Sequence, residues 1–247
     1  PGPLDSMMPS GARALICSAV AKAGITVTYT PGVMAVSVAE LALGLMLDCA
    51  RRITVQDGQV RGGAWAPING MELFGKTVGI IGFGAIGRRV AEMALAFGMR
   101  VLAFSRHLRQ ADCPEGVEAA SVDAILRRSD FVTLHCPLTE ETAGIIGREA
   151  LHTMKKTAYL INTARGPLID EAALREALRD GVIAGAAVDV ASREPIAADS
   201  PLLGAPNLLI TPHIAWATAE ARARLMQTLQ ENLAAFAAGQ PINRVGL

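Results

Sequence analysis

Three side chains suited to acid–base and anion chemistry stand in turn-like settings in the second half of the chain. Arg165 lies in Thr163-Ala164-Arg165-Gly166-Pro167, Glu194 directly precedes Pro195, and His213 follows Pro212. An arginine in so tight a turn can form a bidentate pair with a carboxylate. Imidazole is the side chain suited to proton donation near neutral pH. A carboxylate on its other ring nitrogen favours the charged, acidic form. Together the three could hold a carboxylated substrate and protonate its carbonyl oxygen. Singly, each has a plainer reading: Arg165 as a surface or capping cation, His213 as a hydrogen-bonded structural residue, Glu194 as a solvated loop carboxylate. Asp189, at the end of an apolar run, could cap a turn or reach the amide group of a bound ligand.

That ligand is suggested by Lys76 to Gly87, KTVGIIGFGAIG, which reads as a site for a nicotinamide dinucleotide. Thr77 to Ile81 is a short apolar run that suits a strand buried on both faces of a parallel sheet. It leads directly into Gly82-Phe83-Gly84-Ala85-Ile86-Gly87, a G-x-G-x-x-G. In a dinucleotide-binding turn the first glycine allows the tight bend, the second lets the backbone approach a diphosphate, and the third lets the next helix pack close. The N-terminus of that helix offers free N–H groups and a partial positive charge. The same glycines could also form a turn without a ligand. Where an NAD site commonly places a carboxylate on the ribose, the next run ends in Phe104-Ser105-Arg106-His107, and the nearest downstream acid is Asp112. Ser105 could hydrogen-bond a 2′-phosphate, and Arg106 could pair with it or stack on adenine. NADP is therefore the expected cofactor, with NAD possible; Arg106 as a solvated residue serving either cofactor is the alternative.

Six apolar runs position these groups: 77–81, 100–104, 131–134, 158–162, 184–188 and 208–211. Helical patterns lie between most of them, at 88–97, 121–128 with Ser121 as cap, 148–154 and 170–180. This alternation predicts an α/β fold with a doubly wound parallel sheet. Thr163, Arg165, Asp189 and His213 all fall just beyond strand ends, where such sheets bind ligands. Upstream, residues 12–23 read as partly helical and 25–30 as a strand. Residues 36–52 read as a long helix with Ser37 as a possible cap, and 51–75 as irregular. A long closing helix is expected over 218–238.

The composition bounds the partners. The chain has 247 residues, a formal net charge of zero, 51% hydrophobic and 4% aromatic residues. The charge balance argues against a nucleic-acid or acidic-membrane surface. The apolar run 41–47 is too short to span a bilayer. Cys17, Cys49, Cys113 and Cys136 show no metal-ligand spacing, so no metal is expected, and reduced thiols in a cytoplasm are the simplest reading. Residues 1–6 read as a vector-derived leader.

The chain also resembles the D-isomer-specific 2-hydroxyacid dehydrogenases. The matching stretches are TPGVMAVSVAELALGLML (30–47), ELFGKTVGIIGFGAIGRRVA (72–91), HCPLTEETAGIIG (135–147), LINTARGPLIDEAALREAL (160–178), AAVDVASREP (186–195) and NLLITPHIAWAT (207–218). The segment Pro212-His213-Ile214-Ala215-Trp216 resembles glyoxylate and hydroxypyruvate reductases in particular. The resemblance implies Arg165, Glu194 and His213 as catalytic residues. It implies cofactor contacts at Gly82, Gly84, Ala85, Ile86, Gly87, Ser105, Arg106, Pro137, Thr142, Thr163, Ala164 and Asp189. It further implies a Rossmann-type coenzyme domain over 31–217 and a closing segment, 218–247, that returns to a substrate domain. Only a remnant of that domain, 1–30, is expected here, so the closing helix would expose an apolar face. A homodimer through the coenzyme domain, with the helix after Pro31 in the contact, is implied as well. Met34 departs from the small polar residue of many relatives. Two functions follow. One is an oxidoreductase moving a hydride between NAD(P)H and a small 2-keto acid or D-2-hydroxy acid. The other is a catalytically poor dinucleotide-binding or interaction module, separable from the first by turnover of NAD(P)H.

Overall fold

The computed structural model describes residue 20 and residues 23–245. Residues 1–6 and most of the helix expected at 12–23 lie outside the described residues. Seven strands form one parallel sheet: β1 (Thr77–Ile81), β2 (Arg100–Phe104), β3 (Val117–Ala119), β4 (Phe131–Leu134), β5 (Tyr159–Asn162), β6 (Gly185–Val188) and β7 (Leu208–Ile210). Their spatial order is β3-β2-β1-β4-β5-β6-β7, every neighbour parallel. The chain builds outward from β1 to β3, then returns to β1's other side with β4. That reversal makes the switch point at which doubly wound sheets bind ligands, and the glycine turn sits on it.

Both faces of the sheet are covered, which is why the central strands are continuous apolar runs. On one face pack α1 (Ala35–Arg51) and α3 (Ala85–Ala96), closing a core that includes Met46, Ile80, Val90, Phe131 and Ile161. On the other lie α4 (Val122–Arg128), α5 (Arg148–Thr153) and α6 (Glu171–Arg179), around Ile81, Leu134, Leu151, Leu160 and Leu174. Ser121 caps α4 as expected, accepting from Ala124 N–H.

Several boundaries depart from the sequence-based expectation. The sheet has seven strands instead of six. The extra strand, β3, is a three-residue edge with Glu118 at its centre, too short to show an apolar period. Residues 25–30 do not join the sheet; Thr28 makes a single antiparallel bridge to Arg244. The stretch read as irregular contains α2 (Ile53–Arg61), which buries none of its residues. Its apolar residues, Ile53, Val55 and Val60, all stay exposed, and its start is secured by Asp48, whose Oδ1 accepts from Thr54 N–H at 2.7 Å. Ser37 is not a cap. Met34 holds that position, while Ser37 is buried inside α1 and hydrogen-bonds Thr218 Oγ1 at 2.8 Å.

The closing helix α7 (Ala219–Ala237) is capped by Thr218, which accepts from Ala221 N–H. It is tied to the segment before α1. Arg224 donates to Val33 O at 3.0 Å, and the buried Asn232 donates to Tyr29 O at 3.0 Å while accepting from Asn243. Met226, Leu229, Leu233 and Phe236 form an exposed stripe along it, three or four residues apart and so on one helical face.

Candidate active site

The glycine turn has the geometry that its residue types suggest. Gly82 adopts φ 106°, and a Cβ there would lie 2.3 Å from Cys136 N and 2.4 Å from the His135 carbonyl carbon. Only glycine lets the exit of β1 pass that close to the exit of β4. At Gly87 a Cβ would meet Gly82 O at 2.1 Å, so α3 packs directly on the turn. At Gly84, by contrast, a Cβ would meet nothing within 4 Å: this side of the turn is open. The helix starts at Ala85 rather than Arg88, which places Ala85, Ile86 and Gly87 in its first turn. Their N–H groups precede the first intrahelical bond, Arg88 N–H to Gly84 O at 3.0 Å, as an anion-binding helix start requires.

Two further features bear on whether a dinucleotide fits. Thr163 Oγ1, beyond the end of β5, is buried without a hydrogen-bond partner among the described residues. A buried hydroxyl left unpaired costs free energy, and a polar group of a ligand would satisfy it. Ser105 and Arg106 follow β2 directly, and the Arg106 guanidinium is ion-paired with Glu141. The open glycine turn, the free helix start and the orphan hydroxyl together fit a dinucleotide. Thr142, by contrast, spends its hydroxyl within its own loop, donating to Pro137 O at 2.7 Å and accepting from Thr139 N–H at 2.7 Å. It shapes the Pro137 loop instead of projecting a spare donor.

Past the ends of β5, β6 and β7 the structure brings the three predicted residues together. Glu194 Oε2 hydrogen-bonds His213 Nδ1 at 2.6 Å, and Glu194 Oε1 accepts from Ala191 N–H at 3.1 Å. Partial burial pushes the Glu194 carboxyl up, but the hydrogen bond to His213, the Ala191 N–H and the charges of His213 and Arg165 outweigh it. The net result is a carboxyl held below the usual glutamate value. Arg165 is therefore within electrostatic reach of Glu194. Its Nη1 donates to Ala164 O at 2.6 Å, and its own carbonyl accepts from Asn162 Nδ2 at 2.9 Å. His213 Nε2 makes no hydrogen bond among the described residues and is the nitrogen left for a substrate.

Two residues assemble this cluster. Gly166, not singled out in the sequence, allows the Arg165 turn to touch the Glu194 loop: a Cβ there would stand 2.0 Å from Ala191 C. A glycine wedged between arginine and proline was the only local signal. Asp189 is fully buried and anchors the His213 loop. Its Oδ1 accepts from Thr211 Oγ1 at 2.6 Å and Ile214 N–H at 2.9 Å, its Oδ2 from Ala215 N–H at 2.8 Å, and its carbonyl from His213 N–H at 2.8 Å. Those bonds hold His213 at φ 54°, a left-handed conformation that a non-glycine residue adopts at a cost. Of its two sequence readings, Asp189 takes the turn-holding one, with one lone pair of Oδ2 left over.

A turn of this kind at the switch point of a doubly wound sheet, with a paired carboxylate and imidazole past the ends of β6 and β7 of the same sheet, defines a nicotinamide-dinucleotide oxidoreductase fold. Comparison with known proteins agrees. Residues 43–215 match the family model of the D-isomer specific 2-hydroxyacid dehydrogenase NAD binding domain. The chain is 45% identical over 227 residues to a glyoxylate reductase of Korarchaeum cryptofilum, covering 89% of this chain and 68% of that protein. It is 45% identical over 214 residues to a hydroxypyruvate reductase of Thermotoga maritima, covering 85% and 69%. Among solved structures, an acyclic imino acid reductase in complex with NADPH and D-Arg superposes with a TM-score of 0.84 at 34% identity, covering 94% of this chain and 74% of that one. The chain belongs to the D-isomer-specific 2-hydroxyacid dehydrogenase family. Relatives named as reductases favour the oxidoreductase over the interaction module.

Proposed function

We propose that this chain reduces a small 2-keto acid of the glyoxylate or hydroxypyruvate type to its D-2-hydroxy acid, with NADPH preferred. The observation that carries the reading is the contact between Glu194 and His213, with Arg165 within electrostatic reach, past the ends of β5, β6 and β7 of the sheet whose β1 leads into the glycine turn. Bound with its diphosphate at that turn, a reduced nicotinamide dinucleotide would supply the hydride. Arg165 would hold the substrate carboxylate with two parallel hydrogen bonds. His213 Nε2 would give its proton to the carbonyl oxygen, and Glu194 on Nδ1 would keep the ring oriented and charged until it does. Gly82, Gly84 and Gly87 would admit the diphosphate, with Ala85 and Ile86 offering backbone N–H groups. Ser105 and Arg106 would hold the adenosine ribose; Pro137, Thr142, Thr163, Ala164 and Asp189 would line the remaining length.

The reading extends to organisation. Residues 31–217 form the coenzyme domain, and 218–247 return toward a substrate domain of which 1–30 are a part. A homodimer would cover the side of α1 and α2, where Ile53, Val55, Val60 and Trp65 are exposed. Cys49, Cys113 and Cys136 are free thiols, which suits a cytoplasmic protein, and no described helix is long and apolar enough to cross a membrane. The test is steady-state oxidation of NADPH and NADH by the purified chain over a panel of 2-keto acids. Turnover of glyoxylate or hydroxypyruvate is expected. Tight dinucleotide binding with no turnover of any 2-keto acid would refute the catalytic reading.

A further inference from the structure

The ion pair between Arg106 and Glu141 spans more than a loop. Ile81, the last residue of β1, pairs with Phe104 of β2 on one side and Leu134 of β4 on the other. The three strands therefore end level, with β1 in the middle. Neighbouring strands are about 4.8 Å apart, so the ends of β2 and β4 are separated by roughly 10 Å. Arg106 follows β2 and Glu141 follows β4. Their side chains meet although β1, the strand that leads into Gly82 and Gly84, lies between β2 and β4. Both are well exposed, at 55% and 71%, and the pair is anchored by nothing but its own two charges among the described residues.

Arg106 is also the group proposed above to meet the adenosine ribose. A 2′-phosphate and the Glu141 carboxylate are both anions that seek the same planar fork of donors. We propose that Glu141 is a specificity-determining residue: it occupies Arg106 and competes with the 2′-phosphate of NADPH, while NADH, which carries no phosphate there, leaves the pair intact. The inference rests on the dinucleotide reading of the site. Glu141 thus sets how strongly the chain prefers one nicotinamide cofactor over the other. Because the pair is exposed, its competition is worth about 1.5- to fivefold in affinity, the range of a solvent-screened ion pair.

The test is equilibrium binding of NADPH, NADH, 2′,5′-ADP and 5′-AMP to the wild type, Glu141→Gln, Arg106→Gln and the double variant. Neither substitution touches the core, and a thermal melt verifies that each variant is folded. Glu141→Gln should tighten NADPH and 2′,5′-ADP by about 1.5- to fivefold and leave NADH and 5′-AMP unchanged. Arg106→Gln should weaken NADPH by about tenfold or more. On that background Glu141→Gln should no longer help. Three results would overturn the proposal: no change in NADPH affinity, equal tightening of NADPH and NADH, or the same gain with Arg106 absent. If the wild type binds none of the four ligands, the dinucleotide reading itself fails and this proposal with it. Binding of both cofactors with any of the three results above sinks only the proposal.

Discussion

Replacing Asp189 by asparagine tests whether the His213 loop is held as described. The carboxylate accepts three hydrogen bonds in a fully buried position, from Thr211 Oγ1, Ile214 N–H and Ala215 N–H. Asparagine is nearly isosteric but has one acceptor oxygen. That oxygen can keep the two donors now on Oδ1. The new amide N–H₂ must then face the Ala215 N–H, donor against donor. One hydrogen bond is lost and two buried donors go unpaired, costing about 2–4 kcal/mol. For a chain of this size that lowers the melting midpoint by roughly 5–15 °C. The damage falls on the loop that keeps His213 at φ 54°, so the ring drifts from Glu194. General acid catalysis contributes about 10²-fold or more, and kcat should fall by that order. KM for the 2-keto acid should change little, because Arg165 is held separately, by Asn162. Thermal melts and steady-state kinetics measure both effects. A variant that melts with the wild type and keeps its kcat would show that Asp189 does not hold this loop.

Further predictions follow from the same geometry. His213→Ala should lower kcat/KM by about 10²- to 10⁴-fold and leave NADPH affinity unchanged; weakened cofactor binding would mean the histidine is structural. Gly166→Ala places a Cβ 2.0 Å from Ala191 C, so one loop must move. Overpacking of that kind costs about 1–3 kcal/mol, and kcat should drop as Arg165 and Glu194 separate. Wild-type stability and rate in that variant would refute the close approach. Burial pushes the His135 imidazole down to about 3, against about 6.5 in an unfolded chain. Between those values the unfolded state binds a proton that the folded state refuses, so stability is full above pH 6.5 and falls as pH drops. From pH 7 to pH 5 the loss is about 2 kcal/mol. His135→Asn should flatten that slope in chemical denaturation, and an unchanged slope would place its origin elsewhere.

Much of this architecture is written in local chemistry. An apolar run followed by G-x-G-x-x-G announces a strand, a turn and a helix start, because glycine spacing and backbone conformation are short-range matters. The central strands read clearly, since burial on both faces demands unbroken apolar runs. Where the local signal is weak the expectation failed. The edge strand β3 has three residues, and α2 buries none of its residues and is held by a side chain from the preceding helix. Residues 25–30 alternate like a strand, but among the described residues they bridge to the short segment 243–245 instead of to a sheet edge.

The candidate site divides along the same line. Arg165, Glu194 and His213 could be picked out one by one, each by residue type and a neighbouring glycine or proline. Their meeting depends on contacts that no local pattern encodes. Asp189 draws donors from 22 to 26 residues further along the chain, and Gly166 matters only because the Ala191 backbone passes against it. Arg106 finds Glu141 35 residues away because β2 and β4 flank β1, an order set by how the sheet is wound. Sequence by itself determined which groups were available and which turn would admit a dinucleotide. Tertiary structure decided which of them touch, because only packing the strands side by side brings distant loop ends within hydrogen-bonding distance.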